Sequence, residues 1–205
     1  LLAIPKQPWQ PVSFLNEKFT LTNLETQRKA QPFGIIHLAT HAQFQSGSLE
    51  NSFIQLWNDK LELTDVKQLS WNNPPVTLLV LSACQTARGD REAELGFAGL
   101  AFKAGVKSVL GSLWYVRGEG TLPLMAEFYH QLTQGKIKVA ALREAQMAML
   151  QGRVKIDREG LISIDNQSRM LSSGEPLKID LELTGKVNLS HPYYWSGFTM
   201  IGSPW

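Results

Sequence analysis

One cysteine, Cys84, and four histidines, His37, His41, His130 and His191, are the groups of this 205-residue chain best suited to nucleophilic or acid–base chemistry near neutral pH. Cys84 ends the most apolar run, Val76-Thr77-Leu78-Leu79-Val80-Leu81-Ser82-Ala83. His41 follows a shorter run, Gly34-Ile35-Ile36-His37-Leu38-Ala39, after Thr40. A thiol beside an imidazole is the minimum for cysteine catalysis: the base takes the thiol proton and the thiolate attacks a carbonyl. Backbone N–H groups of Cys84 and of Ala42, next to the base, could form an oxyanion hole. Small Ala42 and Ala83 would let a substrate backbone come close. On residue types alone the pairing is weak, because a strand-end cysteine is commonly inert packing and four histidines offer several partners.

The elements that must position these groups follow from the apolar spacing. Both runs are short and nearly continuous, as in strands buried on both faces of a parallel sheet. If they are parallel neighbours, His41 and Cys84 emerge at one edge, where chemistry collects in open α/β sheets. Thr22-Asn23-Leu24-Glu25 reads as a capping box opening a helix to about Lys29. Ser52 to Leu63 carries a hairpin signal at Asn58-Asp59, and Thr64 could cap a short helix to Leu69. Leu95 to Ala104 predicts a helix burying Leu95, Ala98 and Phe102, stopped by Gly105; Val106 to Trp114 predicts a strand. Leu122, Met125, Phe128, Tyr129 and Leu132 predict a helix with Pro123 in its first turn and Gly135 past its end. Val139, Leu142, Ala145 and Met149 predict another, up to Gly152. Residues 153–190 read as an irregular or β-hairpin excursion, and Tyr193 to Gly202 as a final strand.

This order implies an α/β fold: a three-layer α/β/α sandwich around a mainly parallel central sheet. Pro5, Pro8 and Pro11 make residues 1–18 an extended lead-in. The expectation is a single domain over 1–205, and the lack of an initiator Met reads as the C-terminal part of a longer protein.

Composition narrows the function classes. The net charge is 20 − 18 = +2, with 43% hydrophobic and 19% charged residues, which suits a packed core and gives no footing for nucleic-acid or membrane binding. No apolar run approaches the roughly 18 residues of a membrane span. A lone cysteine excludes an internal disulfide and fits a reducing, cytoplasmic setting. With no His-Glu-x-x-His, no cysteine pair and no phosphate loop around Gly96 and Gly99, no metal and no cofactor is expected.

Longer stretches raise the case for chemistry. Ile36-His37-Leu38-Ala39-Thr40-His41 and Leu79-Val80-Leu81-Ser82-Ala83-Cys84-Gln85-Thr86-Ala87-Arg88-Gly89-Asp90 resemble the two signature segments of the CHAT peptidase family, which shares the caspase-like fold. The likeness continues in Ala104 to Trp114, Met125 to Tyr129, Ala141 to Gln146 and His191-Pro192-Tyr193-Tyr194-Trp195, and its details are similar to the cyanobacterial HetF-type branch. The resemblance implies a caspase-like cysteine endopeptidase with His41 and Cys84 as catalytic dyad, performing limited cleavage in signalling. It also implies a protein or peptide substrate and an upstream regulatory region such as tetratricopeptide repeats. The family usually has Gly where this chain has Ala42; a backbone donor tolerates that change. A catalytically silent caspase-like scaffold is the alternative, and a different hydrolase or transferase using the dyad is a third reading. Neither substrate identity nor oligomeric state is legible.

Candidate pocket residues are Gln85, Glu94, Trp114, Arg117 and Glu119. Glu119 would favour a basic P1 residue and Arg117 would oppose it; the reading leans to Glu119. Asp90, Arg91, Glu92 and Glu94 also suit a solvated loop before a helix. His37 reads as a hydrogen-bonded core histidine, His130 as solvated and His191 as a turn organiser. Trp57, Trp71, Trp114 and Trp195 could stack on a peptide but fit core or rim packing better. Arg153, Arg158 and Arg169 are candidate self-cleavage points if P1 is basic.

Overall fold

A computed structural model describes residues 8–43, 51–62, 65–69, 71–82, 96–170, 174–179 and 188–205. The chain divides into two units, one built on Ser13–Tyr115 with Phe198–Ser203, the other on Val116–Gly197.

In the first unit α1 (Leu21–Ala30) is capped by Thr20, not Thr22: the Thr20 hydroxyl accepts the Asn23 N–H at 3.2 Å, and the Asn23 side chain donates to the Lys18 carbonyl at 2.8 Å. Starting two residues early lets Leu21 join Leu24 against the core, which a cap at Thr22 would forfeit. Near the end of α1, Arg28 is buried over the Trp71 ring, 4.9 Å from its centroid, and donates to the Leu69 carbonyl. The strands β1 (Ile35–Leu38), β5 (Leu78–Leu81), β6 (Ser108–Ser112) and β10 (Phe198–Gly202) form the central sheet in the order β1-β5-β6-β10. The first three are parallel; β10 runs antiparallel to β6. The sheet is thus mainly parallel, in a mixed α/β chain consistent with a caspase-like α/β/α fold. Every residue of β5 and β6 is buried, as continuous apolar runs require.

Strand alternation sorts side chains by face. Ile36, Leu38, Leu79, Leu81 and Val109 join the core cluster with α1 and α2 (Gly96–Lys103). His37, Leu78, Val80 and Leu110 belong to the opposite face. Phe102 does not follow the expectation for α2: Phe97, Ala98 and Ala101 are buried and Phe102 is 44% exposed. At about 100° per residue, positions 97, 98 and 101 share one stripe and 102 falls just past its border. Leu95 lies outside the described residues, as does Thr64. A smaller antiparallel sheet joins β2 (Ala42–Gln43), β3 (Phe53–Gln55) and β4 (Lys60–Glu62), with the expected turn at Asn58-Asp59. A 3-10 turn (Asp65–Leu69) follows.

In the second unit α3 (Gly118–Thr133) and α4 (Lys138–Leu150) pack as a helix hairpin, turned at Gly135 with φ +79°. The α3 helix starts four positions before Leu122. Its first turn closes on the Arg117 carbonyl, which accepts from the Gly120 and Thr121 N–H groups, both at 3.1 Å. Pro123 therefore sits a turn deeper than expected. Gly120 has no room for a side chain, since a Cβ there would lie 2.6 Å from Tyr194 Cβ. Beyond α4, β7 (Val154–Ile156), β8 (Ile162–Ile164) and β9 (Gln167–Ser168) form an antiparallel meander. Asp165 and Asn166, at φ +53° and +61°, make the two-residue turn between β8 and β9. Ala126 of α3 packs with Ile162, Leu177 and Ile179 beneath it. Among the described residues no helix is long and apolar enough to cross a membrane.

Candidate active site

Parallel pairing of β1 with β5 sets the geometry. The register runs Ile35 with Leu78 through Leu38 with Leu81, and the Ser82 N–H extends it by donating to the Leu38 carbonyl at 3.2 Å. Both strands therefore run out at the same edge of the sheet. His41 and Cys84 each stand three positions beyond the last paired residues, Leu38 and Leu81. Cys84 lies outside the described residues, as do Gln85, Glu94 and the acidic residues between them.

The His41 side chain is exposed while its main chain is anchored. The Gln55 N–H donates to the His41 carbonyl at 2.8 Å, and the Thr40 hydroxyl donates to the Gln55 carbonyl at 2.8 Å. With His41 opposite Gln55 as a hydrogen-bonded position, the next pair, Ala42 and Ile54, is non-hydrogen-bonded. In such a pair the N–H groups point away from the partner strand, so the Ala42 N–H is directed away from β3. An exposed imidazole on a fixed backbone, followed by an outward-turned N–H, can serve as a base beside an oxyanion donor.

His37 lies four residues upstream, in another environment. Its Nε2 is 2.7 Å from the Ser82 hydroxyl. Burial lowers its pKa to about 3, which keeps the ring neutral. The hydrogen-bonded reading holds, although by exposure His37 is half-buried rather than core. The signal for Ser82 was present in the sequence, a lone hydroxyl closing an apolar strand two residues before the cysteine, but nothing in composition names its partner. Thr40 and Gln55 carried no comparable signal, because their role depends on how β2 and β3 meet.

The remaining candidates divide between the units. Trp114 is half-buried beyond the end of β6. Arg117 and Glu119, at the start of α3, bind each other: the guanidinium is 2.9 Å from the carboxylate, which is 8% exposed against 47% for the arginine. A carboxylate already matched this way is not a free receptor for a basic side chain. His130 is half-buried, not solvated, and its pKa is lowered by burial and by Arg169, against an opposing pull from Glu127. It lies on the side of α3 that faces the Glu127–Arg169 pair rather than water. The ring of His191 accepts the Tyr193 N–H at 3.2 Å and so caps the 3-10 turn Pro192–Tyr194, as expected. Trp71 is core, with its indole N–H donated to the Val66 carbonyl at 2.6 Å; Trp57 is exposed; Trp195 donates to the Ser190 carbonyl at 3.2 Å.

The candidate cleavage arginines also differ. Arg169 pairs with buried Glu127 at 2.5 Å and Arg153 with Asp165 at 2.8 Å, whereas Arg158 is exposed in the β7–β8 turn. Among the described residues no group of three His, Cys, Asp or Glu side chains could hold a metal ion.

Comparison with known families matches the CHAT domain over residues 1–203. No curated protein matches the chain.

Proposed function

Because the chain belongs to the CHAT domain family, relatives of the caspase-like peptidases, we propose that it is a cysteine endopeptidase working through His41 and Cys84. His41 takes the Sγ proton of Cys84, and the thiolate attacks the scissile carbonyl carbon. The N–H groups of Ala42 and Cys84 stabilise the oxyanion of the tetrahedral intermediate. His41 then gives its proton to the leaving amine. Water, deprotonated by His41, attacks the remaining thioester and regenerates the thiol.

The observation that carries this reading is the β1–β5 register, which ends two parallel strands at one edge of the sheet, each three sequence positions before His41 or Cys84. The anchored backbone and exposed side chain of His41 support it further. The substrate is an extended segment of another protein, cut in limited, regulatory fashion in the cytoplasm. An upstream region such as tetratricopeptide repeats recruits that substrate, and the chain sits in the HetF-type branch. A basic P1 residue remains the preference we assign, though Glu119, paired with Arg117, does not itself supply a free carboxylate for it.

Peptide-library profiling of wild type beside Cys84→Ala tests the reading. Cleavage by wild type that vanishes in Cys84→Ala is the expected result. A wild type whose Cys84 reacts with iodoacetamide no faster than a free thiol, and cuts nothing, would sink the peptidase in favour of a silent scaffold.

A further inference from the structure

Among the described residues, a side-chain bond at 2.7 Å links His37 of β1 to Ser82 at the end of β5. Its location matters more than its strength. Ser82 is already held by its N–H to the Leu38 carbonyl at 3.2 Å, at the last rung of the pairing. Strand ends open more readily than strand middles, and a single long backbone bond is weak restraint. The hydroxyl–imidazole bond supplies a second restraint on the same residue from the same neighbouring strand. Ser82 stands two residues before Cys84; His37 stands four before His41. The two residues that fix one strand end on the other thus lie just behind the two proposed reacting groups.

His37 suits a positioning role and not an acid–base one. It points to the face opposite the main core cluster, in register with Val80, which is 0% exposed. Its neutral ring offers a donor and an acceptor, so it can bond the Ser82 hydroxyl without adding a charge to the strand end.

We infer that His37 and Ser82 form a positioning pair that locks the ends of β1 and β5 together and so sets the distance and angle between the His41 imidazole and the Cys84 sulfur. This rests on the dyad reading above. The pair touches no substrate; it acts through the backbone on either side.

A merely structural pair and a positioning pair respond differently to being replaced as a unit. Removing both partners and leaving apolar groups of similar shape is close to neutral for stability, whereas leaving one buried partner unmatched is costly. The double variant His37→Leu/Ser82→Ala should therefore unfold at nearly the wild-type denaturant midpoint. Its kcat should nevertheless fall about tenfold or more, since misplacement on the order of 1 Å costs that much, with KM nearly unchanged. Its Cys84 iodoacetamide rate should fall toward that of a free thiol. Ser82→Thr, which keeps the hydroxyl, and His37→Gln, which offers an amide near the position of Nε2, should recover most of the rate.

A stable double variant with wild-type kcat and labelling rate overturns the positioning role and leaves the dyad standing. Recovery that tracks folded fraction alone, without separation of kcat from KM, overturns it equally. If the wild-type thiol itself reacts like free cysteine, the dyad falls and the pair has nothing to position.

Discussion

Two regions treat the same kinds of residue in opposite ways. Where α3 meets the meander, Glu127 is 1% exposed and its carboxylate is fully engaged: Arg169 lies 2.5 Å away and Gln131 donates at 2.6 Å. At the outgoing ends of β1 and β5, the inner histidine is bonded to Ser82 and the outer one, His41, presents its ring to the exterior on an anchored backbone. The first arrangement is what a fold does with polar groups it must bury. The second leaves an ionisable group accessible, which packing alone does not require. The contrast separates a clasp from the proposed reaction site, even though both regions carry a histidine and charged or hydroxyl partners.

His41→Ala sharpens the contrast most. Removing a general base should lower kcat/KM on a cleaved peptide by about 10²–10⁴-fold, with an unfolding midpoint equal to wild type because the ring is exposed. Unchanged kinetics would erase the distinction drawn here. Glu127→Ala tests the other region. Stripping one member from a buried pair should cost about 3–5 kcal/mol in denaturant unfolding. Native protein carrying that change should still label at Cys84 with wild-type kinetics.

Acid provides a graded probe. His37 has a folded pKa of about 3 against an ordinary 6.5. Between those values the unfolded chain binds a proton that the native ring refuses, so stability falls as pH drops through that window and is intact above it. His130, also lowered, adds with the same sign. Chemical denaturation at a series of pH values should show this loss, and His37→Gln should flatten it. A slope unaltered by that change would mean that His37 is not the buried neutral group. The smallest expected effect is at the α1 cap, where Thr20→Ala should cost about 1 kcal/mol and Thr22→Ala far less. Equal effects would restore the capping box at Thr22.

How much of this was legible follows from the kind of signal each part uses. β5 was readable because a strand buried on both faces is apolar throughout; β6, which also buries Ser108 and Ser112, was readable from Val109 and Leu110 after Gly105. The helix hairpin was readable from 3.6-residue spacing, but its start was not: the first turn of α3 closes on the Arg117 carbonyl, and Gly120 in that turn lies against Tyr194, far along the chain. The buried face of α2 was misread by the same token, since the pattern of 95, 98 and 102 fits a helix as well as 97, 98 and 101 does. The parallel pairing of β1 with β5, which brings their outgoing ends to one edge, is an inference from topology. The bonds that fix it, His37 to Ser82 and Gln55 to His41, join residues 45 and 14 positions apart and leave no local trace.

The return of β10 has a consequence for synthesis. This strand completes the central sheet beside β6, yet it arrives 198 − 112 = 86 positions later. A ribosome delivers β1, β5 and β6 long before their fourth strand exists, so β6 waits with an unclosed hydrogen-bonding edge while the helix hairpin and meander are made. Such an edge is a place where a nascent chain can pair wrongly or recruit a chaperone. Closure of the sheet waits until β10 has been made, and any activity that depends on it can begin only then.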